Sequence, residues 1–167
     1  MSKAFLRESD FEEVPEAPRL AAALPPGAKN YLTADGARRL REELTRLTTI
    51  ERPPLVANPG SVESRQALQS LDQRIRHLQA SLRSAEIVEP EPGPRDVVRF
   101  GATVTVRENG DGETRYRIVG VDEADPARNW ISWQSPLART LLQSRLGDRV
   151  TFQAPRKAVE LEIAAIE

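Results

Sequence analysis

Phe100-Gly-Ala-Thr-Val-Thr-Val106, Arg115-Tyr-Arg-Ile-Val-Gly-Val-Asp-Glu-Ala-Asp125 and Trp130-Ile-Ser-Trp-Gln-Ser-Pro-Leu-Ala-Arg-Thr-Leu-Leu142 decide the fold of this 167-residue chain. Val98, Phe100, Ala102, Val104 and Val106 alternate with polar or small neighbours, the period of a half-buried strand. Glu108 to Glu113 is a turn, with Asn109-Gly110 or Asp111-Gly112 at its centre. Tyr116, Ile118 and Val121 belong to a return strand broken at Gly120. Asn129 to Gln134 reads as a third strand, and Trp130 and Trp133 face opposite sides if it is regular. One Trp then joins the core and the other is open to a partner. Ser135 and Pro136 suit the N-cap and first position of a helix running to about Ser144. Gly147-Asp148 turns the chain, and Arg149–Ala154 and Val159–Ile166 complete a small antiparallel sheet carrying one short helix.

Upstream the period changes. Thr33 fits a helix N-cap, and Ala37, Leu40, Leu44 and Leu47 follow at spacings of three and four. Gly36 weakens the first turn, and Pro53-Pro54 is expected to stop the helix. Ala57-Asn-Pro-Gly60 is a turn. Leu68, Leu71, Ile75, Leu78 and Leu82 form a second stripe, ending near Glu86. Two such stripes about a Pro/Gly turn describe an antiparallel helical hairpin of coiled-coil type. Pro90-Glu-Pro-Gly-Pro94 reads as a semi-rigid linker. The expected organisation is a disordered tail over residues 1–30, the hairpin over 31–89, the linker over 90–95 and the sheet domain over 96–167. The fold class is α+β.

Composition narrows the function. A formal net charge of −1 with both signs interspersed argues against binding nucleic acid mainly through phosphates. With no cysteine, thiolate chemistry and cysteine-ligated zinc are excluded. His77 is the one histidine, and no partner that would orient it as a base is visible. No signal peptide and no bilayer-length apolar run are seen, so cytoplasm is the expected compartment. The first residues are acidic (Glu8, Asp10, Glu12, Glu13, Glu16), with Phe5, Leu6 and Phe11 available to dock. Asp122, Glu123 and Asp125 sit in a turn without further metal ligands. Arg74, Arg76 and Arg83 read as a solvated face of the second helix.

Several of these motifs, in this order, resemble the bacterial Gre transcript-cleavage factors, in their GreB-like form. They include Asn30-Tyr-Leu-Thr33, Leu40-Arg-Glu-Glu-Leu44, Glu51-Arg-Pro53, Leu71-Asp-Gln-Arg-Ile-Arg-His-Leu78 and Glu86-Ile-Val88. In the sheet domain they are Phe100-Gly-Ala-Thr-Val104, Tyr116-Arg-Ile-Val-Gly120 with Asp122-Glu123, Ile131-Ser132, Ser135-Pro-Leu-Ala-Arg139 and Gly147-Asp148. The resemblance implies an FKBP-like C-terminal domain that docks on bacterial RNA polymerase, and a coiled coil that enters the polymerase secondary channel. Trp133, Gln134, Ser135, Pro136, Leu137 and Arg139 are the implied docking residues. In cleavage-active members, acidic residues at the tip help hold a second Mg2+ at the polymerase site, where RNA is hydrolysed. No cofactor of its own is implied, the chain is not itself an enzyme, and nucleic acid is met only through polymerase. A monomer without membrane contact is expected.

The tip departs from that pattern. Where the family carries several acids, this chain has Pro59-Gly-Ser-Val-Glu-Ser64, with Glu63 the one carboxylate there and a minor candidate for metal contact. The segment between Pro53 and Leu68 is about a dozen residues short; shared by two helices at ~1.5 Å per residue, the loss shortens the hairpin by roughly 9 Å. At Gln134 many GreB-like sequences have an acid instead. The expected function is a polymerase-binding transcription regulator with weak or no stimulation of cleavage. Alternatives are a regulator in the manner of Rnk, the regulator of nucleoside diphosphate kinase, and an FKBP-type prolyl isomerase. The isomerase rests on fold alone.

Overall fold

A computed structural model describes residues 24–92, 95–109 and 111–167. Most of the expected tail lies outside them, but its last residue, Asn30, opens the first element. β1 (Asn30–Thr33) leads into α1 (Ala34–Arg46), a π-helical turn (Leu47–Glu51) and α2 (Arg52–Ala57). α3 (Val62–Ser84) returns into β2 (Ala85–Val88), which pairs parallel with β1. Asn30 meets Ser81 and Ser84 near the base, and Glu43 meets Arg74 higher up, so α1 and α3 run antiparallel. Leu32, Ala37, Leu40, Leu47, Ile75 and Leu78 are buried between them, with Leu44, Leu71 and Leu82 packed alongside. Leu68 is half-buried and stands apart from this cluster. At its height the facing chain has passed into α2, which has no buried residue.

Thr33 caps α1 as expected, its hydroxyl accepting from Gly36 N at 2.9 Å. The prolines do not stop the first helix. It crosses Pro53-Pro54 because the preceding turn widens: the Arg52 N–H donates to Leu47 O, five residues back. A widened turn relieves the clash a proline ring makes with the carbonyl four residues before it. α3 starts earlier than its leucine stripe, capped by the Ser61 hydroxyl, and stops at Ser84, short of Glu86.

The remaining strands are β3 (Thr103–Glu108), β4 (Asp111–Val119), β5 (Trp130–Ser132), β6 (Arg149–Gln153) and β7 (Ala158–Ile166), in the order β5-β4-β3-β7-β6. The alternation from Val98 suggests one continuous strand, but the chain bends at Gly101 (φ +84°), and pairing begins at Thr103. Asn109 (φ 49°) follows Glu108, which pairs with Asp111 across the hairpin turn. The sheet is mixed: β5 pairs parallel with β4. Two single-turn 3-10 helices, Val121–Glu123 and Pro126–Arg128, carry the chain back to start β5 beside Arg117, the crossover a parallel pair needs. Val121 therefore lies in a turn, and the third strand is three residues instead of six. α4 (Pro136–Leu141) is capped by Ser135 and is shorter than expected, ending before Gln143 at φ 69°. Val98, Val104, Val106, Ile118, Ala138, Leu141, Val159, Leu161 and Ile163 fill the core between the sheet and α4. Among the described residues, no helix is long and apolar enough to cross a membrane.

Candidate functional site: a braced arm, its tip and its docking edge

The helical pair meets the sheet domain through polar side chains that local sequence does not pair. Glu123, in the turn after β4, has a side chain only 1% exposed. Its carboxylate accepts from Thr33 N at 2.9 Å, Thr33 Oγ1 at 2.5 Å and Gly120 N at 3.0 Å. Three donors are what a buried carboxylate needs to offset lost hydration. The Arg39 guanidinium lies 3.6 Å away, close enough for charge attraction but without a hydrogen bond. Gly36 and Gly120 leave the space: a Cβ on Gly36 would fall 1.9 Å from Glu123 Oε1, and one on Gly120 2.3 Å from the Tyr31 carbonyl.

Asp122 makes a second bridge. His77 Nε2 donates to its Oδ1 at 2.6 Å, and the Ser81 hydroxyl donates to the other oxygen. His77 thus has a carboxylate partner that the sequence did not reveal, and the pair ties α3 to the sheet domain. The acids at 122 and 123 are taken up by these contacts. Between the two parts, Tyr31 sets its ring 5.8 Å from Phe100 and edge-on to Trp133 at 5.3 Å.

The residues expected to dock lie around the start of α4. The Ser135 hydroxyl accepts from Ala138 N at 3.2 Å, and Ser132 Oγ accepts from Gln134 N at 3.2 Å. Ala138 and Leu141 are buried and anchor the helix, so Pro136 and Arg139 face solvent while Gln134, Ser135 and Leu137 are half-buried. Trp133 packs on Tyr31 and the sheet core, with its indole N–H buried and unpartnered. It supports this edge from beneath instead of projecting from it. Trp130 lies under three guanidiniums, Arg39, Arg117 and Arg128, at 4.4, 5.1 and 5.1 Å from the ring. Neither Trp is freely exposed.

At the far end of the arm, α2 and α3 are joined by Asn58–Ser61. Glu63 is exposed in the first turn of α3, where a negative charge favours the helix dipole. Lower down the charges are paired. Glu43 holds Arg74 through two bonds of 2.8 and 2.9 Å and raises its already high pKa, and Arg52 pairs with Asp72 at 2.8 Å. Arg74 is therefore not the free cation a solvated face would offer. Among the described residues, no group of three or more His, Cys, Asp or Glu side chains is arranged to hold a metal.

These features define an α+β protein in which a helical arm is clamped onto a small mixed sheet by buried carboxylates. A family model described as transcription elongation factor, GreA/GreB, C-term matches residues 93–167. Transcription elongation factor GreB of Neisseria meningitidis serogroup B is 38% identical over 153 residues, covering 83% of this chain and 94% of that protein. Transcription elongation factor GreA of Alkalilimnicola ehrlichii is 37% identical over 154 residues, covering 83% and 98%. A crystal structure of GreA factor homolog 1 of Thermus thermophilus is 25% identical, covering 84% of this chain and 98% of that one, with a TM-score of 0.40. The chain belongs to the GreA/GreB family of transcription elongation factors. The 153 positions aligned to the Neisseria protein take in only 83% of this 167-residue chain, so that relative has residues without a counterpart here.

Proposed function

We propose that this chain regulates transcription by docking its C-terminal domain on bacterial RNA polymerase and placing a short helical arm in the secondary channel, with weak or no stimulation of transcript cleavage. The finer parts of the proposal are a coiled-coil arm, an FKBP-like sheet domain, a monomeric chain, and a docking edge formed by Gln134, Ser135, Pro136, Leu137 and Arg139. Family membership and that edge's exposed face support the docking. The observation that carries the functional part is the tip: its one carboxylate, Glu63, is exposed in the first turn of α3. Mg2+ needs oxygen ligands at about 2.0–2.1 Å in near-octahedral order, and one carboxylate on an arm several ångströms short does not complete such a set.

Two measurements test the proposal. The chain should bind core polymerase at micromolar concentration, and Arg139→Glu should weaken binding about tenfold, equivalent to ~1.4 kcal/mol. Absence of binding removes the proposal. In a backtracked complex with Mg2+, adding the chain should leave RNA shortening close to its intrinsic rate. Rapid shortening abolished by Glu63→Ala would overturn the assignment of a weak tip.

A further inference from the structure

Two of the joints between arm and base fall on neighbouring residues. Thr33 bonds Glu123 and His77 bonds Asp122, so both anchors sit on one turn. Anchors that close together leave the arm free to swing about the line through them. Tyr31 restrains the swing from two residues before Thr33. Arg39 restrains it from the other side, six residues up α1 and about 9 Å from Thr33 at 1.5 Å per residue. Its guanidinium covers the Trp130 ring at 4.4 Å. Arg39 Nε stands 3.2 Å from Asp35 and Nη2 3.6 Å from Glu123, yet both nitrogens are buried without a hydrogen bond. Asp35 bonds Arg38 instead, and Glu123 is occupied by Thr33 and Gly120. The face of Trp130 is therefore what gives the guanidinium a fixed place, since a planar cation is drawn to the ring quadrupole.

We propose that Arg39 is a positioning residue: stacked on Trp130, it fixes the direction of the arm relative to the strand that carries the docking edge. This rests on the roles of arm and edge proposed above. Trp130 opens β5, and the chain runs from that strand straight into Gln134 and Ser135. Arg117 and Arg128, both of the base, lie 5.1 Å from the same ring and hold it from their side. Leverage makes the contact matter. The tip at Ala57 stands twenty-four residues beyond Thr33, about 36 Å at 1.5 Å per residue. One ångström of play at Arg39 becomes about 4 Å at the tip, from the ratio of those two lengths. That exceeds the ~2.9 Å length of a hydrogen bond, so any contact made by the tip depends on it.

The chain contains no cysteine, so spin labels can be placed cleanly in the full-length protein. Gln66→Cys and Thr151→Cys put one label on α3 near the tip and one on β6, both at exposed positions. Pulsed electron spin resonance reads the distance between them without polymerase, so the result stands apart from whether docking occurs. The labelled parent should give one narrow distance distribution. Arg39→Lys keeps a cation beside Glu123 but loses the planar stack, and should at least double the width. Trp130→Leu should do the same, while Trp130→Phe, which keeps a ring face, should stay narrow. Arg39→Lys with Trp130→Leu should be no wider than either alone, because both remove one contact. A width unchanged by Arg39→Lys, a Phe variant as broad as the Leu variant, or broadening that adds in the combined variant would each overturn the proposal.

Discussion

At Gly36 two effects oppose each other. Alanine is the better helix former, worth roughly 1 kcal/mol over glycine inside a helix. A Cβ there would meet Glu123 Oε1 at 1.9 Å, and forcing an extra carbon into a filled site costs about 1–3 kcal/mol. Glu123 is held by three donors and cannot swing aside without leaving buried N–H groups unpaired. The clash should win, so Gly36→Ala lowers the midpoint of thermal unfolding. In a Glu123→Ala background the same change should turn neutral or stabilising, since its obstacle is gone. A double-mutant cycle by denaturant titration measures this coupling. Additive effects would show that the carboxylate does not occupy that space. The sequence shows Gly36 as a weak helix residue and Asp122-Glu123 as an acidic turn. It does not show that they meet, because Glu123 lies 90 residues from Thr33 and Asp122 lies 45 from His77.

The helical elements differ in how much of them can be read locally. The Thr33 cap and the first stripe, Ala37, Leu40, Leu44 and Leu47, depend on neighbours within one or two turns, and both are found where the sequence places them. The passage through Pro53-Pro54 depends on where carbonyls are relocated, which propensity does not encode. Thr45, Thr48 and Thr49 help by returning their hydroxyls to Arg41 O, Leu44 O and Thr45 O at 3.0, 2.8 and 2.7 Å. The widened turn also resets the phase of the helix. In an unbroken α-helix Leu55, eight residues after Leu47, would stand about 80° off the stripe at ~100° per residue. Absorbing one residue in the π turn brings it back to within about 20°, and Leu55 is half-buried while Val56 is 47% exposed. Leu55→Ala should therefore cost about 1 kcal/mol, below the range for a fully buried leucine, and Val56→Ala less than about 0.5. Equal costs in urea titrations would show that α2 is not rotated this way. The parallel β4–β5 pair escaped the sequence for a similar reason: alternation does not encode pairing direction, and two 3-10 turns carry the chain back so that β5 runs parallel to β4 in a sheet expected to be antiparallel.

For the whole molecule, what matters is whether arm and base behave as one body. Each has its own apolar cluster, so each has some capacity to fold separately. Among the described residues they meet at Tyr31 beside Phe100 and Trp133, at Thr33 with Glu123, at His77 and Ser81 with Asp122, and at Arg39 over Trp130. Two of these are hydrogen-bonded and converge on consecutive residues of one turn. Removing both acids should therefore uncouple the parts while leaving each cluster intact. Both tryptophans belong to the sheet domain, and the long helices belong to the arm, so the halves carry separate signals. In the unmodified chain, tryptophan fluorescence and helical circular dichroism should lose amplitude at one temperature, as a single cooperative unit requires. With Asp122→Ala and Glu123→Ala together, the helical signal should fall first, because the arm is a single pair of helices with a narrow core. Coincident transitions in the double variant would mean that the contacts of Tyr31 and Arg39 suffice to couple the parts. Separated transitions would make Asp122 and Glu123 the residues that set how rigidly the base holds the arm.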